Sequence, residues 1–254
     1  MVITTAEEGQ PSRSYLLPPG RIVRRTRQWW LYDQAGDRYL DFWQADGSAF
    51  LGHRPRGLGR LVEAEIDRGL WAPVPTAWPG RLERALARLA AVAELPSLTP
   101  IHGRPPADHL DSRRWLPLCH PADRPSGGAP PTVVVPVPGV TLGSTWEFSE
   151  ISPMIVAALT RMTLALTDYL SSGPAQQRVA QAEETAVPPG YRRSGVWMLP
   201  VEESPRFHWA AWRTVAAERG ILLPPDGATP LVIPGELTRR DGERWKGLVH
   251  DWPI

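Results

Sequence analysis

The chain has 254 residues and a formal net charge of +1, and 42% of its residues are hydrophobic and 22% are charged. These values are ordinary for a globular protein and argue against wholesale disorder, and the near-zero charge gives no electrostatic reason to expect a nucleic acid or a membrane surface as partner. A single cysteine, Cys119, excludes an internal disulfide framework and a metal site built from cysteines.

Two further features of the sequence bear on location and chemistry. No apolar run approaches the roughly eighteen residues that a membrane span needs, and the N-terminal residues lack the apolar core of a secretory signal, so we expect a cytoplasmic protein. Lys246 is the only lysine among 28 lysines and arginines. Any reaction that needs a lysine amine therefore has one candidate in this chain.

The first half of the chain predicts an arm, a hairpin and two helices. Residues 1–28 are polar and contain several prolines, which is typical of an arm that lies on another surface. Two aromatic-rich runs, Trp29–Asp33 and Arg38–Phe42, flank a glycine-containing turn, and this pattern predicts a β-hairpin. After a glycine-rich loop, apolar residues at helical spacing predict helices over about 57–69 and 79–95.

The middle of the chain predicts little regular structure. Prolines recur throughout residues 96–131 without any hydrophobic periodicity, which favours a long loop or an extended connector. The run Thr132–Val135 is rich in β-branched residues and predicts a short buried strand.

The second half predicts an α+β arrangement of helices packed on one face of a short, mostly antiparallel sheet. Pro153 suits the first turn of a helix, Gly220 suits the end of one, and Thr238 suits an N-cap. Helices are predicted over about 152–170, 174–186, 205–219 and 239–251, and strands over 195–201, 221–223 and 231–233. The predicted organisation is an N-terminal arm, hairpin and helices (1–95), a proline-rich connector (96–140) and a C-terminal α+β domain (141–254).

The hairpin and the loop after it carry a resemblance to a known family. Leu31–Phe42, followed by Gly47 and by Gly52–Pro55, resembles the N-terminal hairpin and the Gly-His-x-x-Pro loop of class III aminotransferases, pyridoxal-phosphate enzymes of fold type I. Four later segments are similar to family motifs in the same order: Gly143–Trp146, Arg193–Met198, Ala217–Pro224 and Leu231–Thr238. The resemblance covers about 20–95 and 140–254, and it implies small-domain elements without most of the large parallel-sheet domain.

The resemblance also implies a missing catalytic centre. Between the two similar parts the family carries a large cofactor-binding domain with the Schiff-base lysine, whereas here residues 96–140 contain no lysine and no Asp-Glu-Val motif. Lys246 lies in the predicted terminal helix, outside the family's lysine position. Arginine stays protonated and cannot replace the amine, so we expect no catalytic residue and no bound pyridoxal phosphate.

Gly143, Ser144 and Thr145 are the candidate cofactor-binding residues that the resemblance implies. In the family, the matching threonine reaches across the dimer to the phosphate of the partner subunit's cofactor. The alternative is a loop that leads to a helix N-terminus, and Glu147 and Glu150 beside it would repel a phosphate.

Other candidate side chains favour structural roles. Val232 occupies the position at which amino-acid-binding members of the family place a carboxylate-binding arginine, and valine cannot pair with a carboxylate. His53 is interpreted as a structural residue that satisfies backbone groups in its loop. Histidines and aspartates at 102, 108, 109 and 111 match no zinc spacing, so no metal site is predicted.

Tryptophans at 29, 30, 43, 71 and 78 form either a ligand box or an apolar interface, and the family's dimerisation favours the interface. Three functional hypotheses follow. The first is a degenerate aminotransferase-like protein that acts as a homodimeric binding or scaffold protein, or as the partner of a full-length homologue. The alternatives are a minimal pyridoxal-phosphate transaminase using Lys246 or noncovalent cofactor, and a module that binds a phosphorylated metabolite.

Overall fold

The computed structural model describes residues 17, 21–95, 99–101, 116–120, 132–134, 151–201 and 209–252. The strands are β1 (Val23–Arg27), β2 (Trp30–Asp33), β3 (Arg38–Asp41), β4 (Thr99–Ile101), β5 (Thr132–Val134), β6 (Tyr191–Ser194), β7 (Trp197–Pro200), β8 (Ile221–Leu222) and β9 (Leu231–Val232). The helices are α1 (Gln44–Gly47), α2 (Leu58–Asp67), α3 (Trp78–Val92), α4 (Pro153–Leu170), α5 (Gly173–Glu184), α6 (Trp209–Glu218) and α7 (Arg239–His250).

The predicted hairpin is confirmed, and its turn is fixed by local bonds. β2 and β3 pair in antiparallel register. The Asp33 carboxylate accepts the Asp37 N–H at 2.9 Å, and Gly36 adopts the positive φ of +91° that the turn needs. Residues within and next to the turn thus determine the connection.

The prediction of an arm across residues 1–28 is wrong for Val23–Arg27. This segment forms β1, an edge strand that pairs antiparallel with β2. An edge strand has one neighbour, and charged side chains on it face solvent without penalty. The arginine-rich sequence therefore shows no hydrophobic alternation, although its backbone completes a sheet.

The first sheet is completed from the other end of the chain. Its strand order is β1-β2-β3-β8, with β8 parallel to β3. Leu40 on β3 lies opposite Ile221 on β8, and both side chains are fully buried. The division of the chain at 95 and 140 stays a prediction, although a strand of the third range belongs to the sheet of the first.

A second sheet, β6-β7-β9, is antiparallel throughout. The prediction of one C-terminal sheet is wrong for the strand at 221–223, because β8 pairs in parallel with β3 of the first sheet. The prediction of one continuous strand over 195–201 is wrong at its start, because Gly195 lies in the turn between β6 and β7 with φ +58°. Val196 is fully buried in that turn. Its buried apolar side chain extends the hydrophobic pattern of β7, and the predicted strand therefore begins too early. The hydrophobic pattern does not predict β6, which contains two consecutive arginines.

The connector contains a strand that the sequence does not indicate. Thr99–Ile101 pairs in parallel with Thr132–Val134. The predicted strand at 132–135 is confirmed for Thr132–Val134, and its burial stays a prediction. The strand at Thr99–Ile101 centres on Pro100 and is too short to show periodicity. The alternative of a long loop for 96–131 is therefore wrong at residues 99–101, whereas a partly extended connector is compatible with this strand.

All six longer helices are confirmed within a few residues of their predicted bounds. α3 packs on α4 through leucines at 82, 86 and 89 and through Val156 and Leu159. Thr238 caps α7 in a capping box with Asp241, as its sequence position predicts. None of the helices in the described ranges is long and apolar enough to cross a bilayer.

The main core joins the two ends of the chain. Phe42, at the end of β3, stacks on Trp245 of α7 with ring centroids 4.1 Å apart. Trp197 and Trp212 lie in the same cluster and are at most 2% exposed. A mixed helix–sheet fold with small sheets is therefore held together by aromatic packing between its N-terminal and C-terminal segments.

Candidate functional site

The residues that the sequence predicts for cofactor contact lie outside the described residues. Gly143, Ser144 and Thr145 fall in 135–150, and the candidate metal ligands at 102, 108, 109 and 111 fall in 102–115. Within the described ranges, no group of three or more histidine, cysteine, aspartate or glutamate side chains could hold a metal ion.

Lys246 lies on the outer side of α7. Its neighbour Trp245 points into the core, where its indole stacks on Phe42 and donates to the Ala186 carbonyl at 2.7 Å. Successive helical residues point about 100° apart, and the Lys246 side chain is exposed. A lysine that anchors pyridoxal phosphate has to face a pocket that encloses the cofactor ring, and Lys246 does not fit that requirement.

Val232 is a core residue. It is fully buried in β9 opposite Trp197, and its N–H donates to the Phe42 carbonyl at 2.7 Å. The position that holds a carboxylate-binding arginine in the resembled family is therefore filled by packing, and an arginine there would bury a charge without a partner.

The Gly-His-x-x-Pro loop is attached to the end of β3 by a buried carboxylate. Asp41, 1% exposed, accepts the N–H groups of Trp43 and Gln44 through Oδ1, both at 2.8 Å. Its Oδ2 lies 2.7 Å from Nε2 of His53. His53 has a structural role, as predicted, but its ring bonds a carboxylate that in turn satisfies backbone groups. The backbone N–H of His53 donates to the Gln28 carbonyl at 2.7 Å.

Arg178 of α5 is a buried residue that the sequence analysis missed. Its guanidinium donates from Nε and Nη2 to the Ile233 carbonyl at 3.0 and 2.6 Å, and from Nη1 to the Phe50 carbonyl at 2.7 Å. Nη2 also contacts Oε1 of Gln44 at 3.3 Å. The guanidinium carbon lies 4.1 Å from the centroid of the Phe50 ring, a cation–π distance.

The electrostatics of Arg178 are those of a structural cation. Burial lowers the pKa of Arg178 to about 10, so the guanidinium stays charged at neutral pH. No carboxylate of the described residues forms an ion pair with it. Its N–H groups are directed at carbonyl oxygens, which leaves it unsuited to hold a substrate carboxylate or a cofactor phosphate.

A weak sequence signal for this burial exists in α5. Ala175, Arg178 and Ala182 are the buried residues of the helix, and they follow the i, i+3, i+7 spacing of one helix face. The two alanines leave room for the long side chain between them. The sequence does not reveal which carbonyl groups receive its hydrogen bonds.

Comparison with known proteins gives a likeness of fold. No family model matches the chain. An uncharacterised protein of Borreliella burgdorferi is 44% identical over 55 residues, 22% of this chain and 20% of that protein. One of Treponema pallidum is 34% identical over 64 residues, 25% of this chain and 21% of that protein. Each match thus spans about a fifth of the relative's length.

Three solved aminotransferases resemble the chain along most of its length. An ornithine aminotransferase of Plasmodium yoelii has a TM-score of 0.51 at 11% identity, covering 97% of this chain and 95% of that one. An N-acetylornithine aminotransferase of Stenotrophomonas maltophilia has a TM-score of 0.51 at 14% identity, covering 92% of this chain and 96% of that one. A β-phenylalanine aminotransferase of Variovorax paradoxus has a TM-score of 0.52 at 12% identity, covering 94% of this chain and 89% of that one. The sequence resemblance is therefore confirmed as an aminotransferase-like fold.

Proposed function

We propose that this chain is an aminotransferase-like protein without transaminase activity of its own, acting as a binding or scaffold protein. In this role it forms a homodimer or pairs with a full-length homologue. The observation that carries the proposal is the exposed position of Lys246, the only lysine of the chain, on the solvent side of α7. A covalent pyridoxal-phosphate anchor needs a lysine amine facing an enclosed cofactor.

The other basic and apolar groups support the same interpretation. Val232 fills the substrate-carboxylate position with a buried aliphatic side chain, and the guanidinium of Arg178 is bonded to carbonyl oxygens of the core. Binding determinants for an amino-acid substrate are thus absent from both positions. Nothing in these arrangements impairs the fold, which retains its packed core around Phe42 and Trp245.

Association with another subunit is supported by an exposed apolar surface. Ile66, Trp71 and Val74 are 47%, 67% and 43% exposed and follow one another at the end of α2 and in the loop after it. Exposed tryptophan is enriched at protein interfaces. Of the five tryptophans that the sequence assigns to an interface, Trp71 is available to a partner, whereas Trp29 is buried in the chain's own core.

The test is titration of the purified chain with pyridoxal phosphate, followed by absorbance spectroscopy and borohydride reduction. The proposal predicts no saturable band at the edge of the visible region that borohydride removes. A minimal transaminase working through Lys246 predicts such a band, and its loss in Lys246→Arg. An exposed amine can condense with the free aldehyde, so a saturable band alone is not sufficient. A saturable band that disappears in Lys246→Arg, together with conversion of an amino-acid donor, would refute the proposal.

A further inference from the structure

The edge strand β1 contains a β-bulge that changes the direction of one arginine side chain. Val23 lies opposite Asp33 and Arg25 lies opposite Tyr32. Two steps along β1 thus correspond to one step along β2, and Arg24 is the extra residue. A bulge takes the extra side chain out of the regular alternation. As a result, the consecutive residues Arg24 and Arg25 line the same groove.

This groove has a volume of about 440 Å³. Arg24 and Arg25 line it together with Tyr32, with Asp33 and with the turn of residues 34–36. At Gly36, the space around the missing side chain is open to 4 Å, so the backbone of the turn is accessible from the groove. A volume of this size suits a small organic molecule.

The charge in the groove is positive. Arg25 stacks on Tyr32, with its guanidinium carbon 4.3 Å from the ring centroid, and this contact holds the cation in place. Both Arg24 and Arg25 are exposed, and neither forms an ion pair with a carboxylate of the described ranges.

The acidic residues near the groove are already paired. Asp33, 2% exposed, binds Arg21 Nη1 through Oδ2 at 2.9 Å and the Asp37 N–H through Oδ1 at 2.9 Å. The Asp37 carboxylate also pairs with Arg21 Nη1, at 2.9 Å. Arg21 thus pairs with both carboxylates of the hairpin turn and offsets one of their two negative charges. Among the described residues, no carboxylate pairs with the guanidinium groups of Arg24 and Arg25 in the groove.

We propose that this groove binds the phosphate group of a small phosphate monoester. Two adjacent guanidinium forks match the charge and the oxygen geometry of a tetrahedral dianion, and the Tyr32 ring offers an apolar contact to the organic part. A simple carboxylate brings half the charge. This inference rests on the proposed function in one respect, because it names the class of ligand for the proposed binding role. The groove residues that carry it are different from Lys246, which carries the proposed function.

The competing explanation is protection of a sheet edge. Charged side chains and bulges both keep edge strands from pairing with other chains, and that role alone predicts no ligand. An extended basic surface for single-stranded nucleic acid is a second competitor, because Arg27 on β1 and Arg38 on β3 are also exposed. A phosphate-monoester site and a polyanion surface differ in which arginines matter and in the dependence on ligand length.

The experiment measures binding of phenyl phosphate and of inorganic phosphate by calorimetry, at low salt and in a buffer that contains no other phosphate. Arg24→Gln and Arg25→Gln remove one charge each from the exposed edge strand, and Arg60→Gln removes an exposed charge from α2 as a matched control. Urea unfolding midpoints of all three variants establish that the fold is retained. Phenyl phosphate carries no aldehyde, so its binding is independent of any reaction at Lys246.

The proposal predicts saturable one-to-one binding that weakens about tenfold in Arg24→Gln and in Arg25→Gln, as expected for loss of a charge-assisted contact. Arg60→Gln stays within about twofold of the wild type. Binding strengthens between pH 5 and 7.5, because the monoester loses its second proton near pH 6.

Three results would overturn the proposal. The first is the absence of saturable binding, which leaves edge protection as the role of the arginines. The second is an equal loss of affinity in Arg60→Gln, which indicates unspecific screening. The third is a single-stranded oligonucleotide that binds at least about a hundredfold more tightly than phenyl phosphate and depends on Arg27 and Arg38. If instead the chain converts an amino-acid donor through Lys246, the proposed function fails and the groove arginines keep their predicted effect.

Discussion

Arg178 directs two N–H groups at the main-chain carbonyl of Ile233, at 3.0 Å from Nε and 2.6 Å from Nη2. A third bond, to the Phe50 carbonyl at 2.7 Å, reaches the segment after α1. One side chain of α5 thus joins the end of β9 to the loop that follows the hairpin. The buried guanidinium is compensated by these oxygens and by the Phe50 ring, which makes it a brace between the two ends of the chain.

Replacing Arg178 with methionine should destabilise the fold by about 2–4 kcal/mol, because the buried Ile233 carbonyl would lose both N–H groups of Arg178. The Phe50 carbonyl would lose its bond at 2.7 Å and keep only the Trp29 indole N–H at 3.2 Å. Arg178→Lys should recover only part of this loss, since one ammonium group cannot span both carbonyls. The measurement is urea unfolding. Arg88→Gln, which breaks the exposed pair of Arg88 with Asp168 at 3.2 Å, is the control and should change stability by at most about 1 kcal/mol. A loss below about 0.5 kcal/mol in Arg178→Met would contradict the role of a brace.

The same substitution at two glycines should have opposite effects. A Cβ at Gly195 would overlap the Leu118 carbonyl oxygen, and the residue has φ +58°. Gly195→Ala should therefore cost at least about 3 kcal/mol. Gly247 lies inside α7 with nothing near its missing side chain, and Gly247→Ala should stabilise by about 0.5–1 kcal/mol. Thermal and urea unfolding of the two variants test this, and two shifts of the same sign would contradict the turn geometry.

Alkaline pH should weaken the fold through Tyr191. Burial, assisted by the charge of Asp226, raises the pKa of Tyr191 well above its ordinary value. The folded state therefore keeps the phenol protonated above about pH 10, where the unfolded chain releases the proton, and stability falls as the pH rises. The contribution of the protonated Tyr191 phenol to the stability of the fold is complete below about pH 10 and is lost progressively above it.

Tyr191→Phe removes this dependence together with the bond from the hydroxyl to the Gly227 carbonyl at 2.9 Å. At pH 7 the variant should be about 1 kcal/mol less stable than the wild type. Above pH 10 this gap should narrow, at most by about 1.4 kcal/mol per pH unit. Urea unfolding at several pH values from 7 to 11 measures the difference in unfolding free energy between the wild type and Tyr191→Phe. Both proteins contain Arg178, so any titration of Arg178 cancels in this difference. A gap that is constant or widens would contradict the assignment.

Trp71 is the side chain through which we expect subunits to associate. It is 67% exposed, and Ile66 and Val74, which precede and follow it in the sequence, are also exposed. Trp71→Ala should weaken self-association by at least about tenfold, the effect of losing an aromatic anchor from an interface. Sedimentation velocity over a concentration series measures this, with Val215→Ala, an exposed apolar residue of α6, as the control. A wild-type chain that stays monomeric alone and when mixed with a complete aminotransferase of the same source would contradict the association.

Local signals in the sequence were sufficient for the elements that are determined locally. The hairpin depends on Asp33 and Gly36 within its own turn, and α7 begins where Thr238 and Asp241 form a capping box. Helices α3 and α4 carry apolar stripes that pack on each other. In each case the residues that determine the structure lie within one or two turns of one another.

The sequence does not reveal features that depend on distant contacts. β1 has the composition of a solvated segment because one edge of a sheet tolerates arginine. β8 joins β3 across 180 residues of sequence, and a two-residue strand has no periodicity of its own. Arg178 resembles a surface residue of a polar helix, and its burial follows from carbonyl groups at Phe50 and Ile233. The candidate site at Gly143–Thr145 stays a prediction, since it lies outside the described residues.

The most direct test of the central claim is peptide mass spectrometry after incubation with pyridoxal phosphate and borohydride, in the presence and absence of an amino-acid donor. A chain without transaminase chemistry should show no stoichiometric phosphopyridoxyl group on Lys246 and no donor-dependent formation of pyridoxamine phosphate. One such group per chain on Lys246, together with conversion of the donor that Lys246→Arg abolishes, would contradict the account.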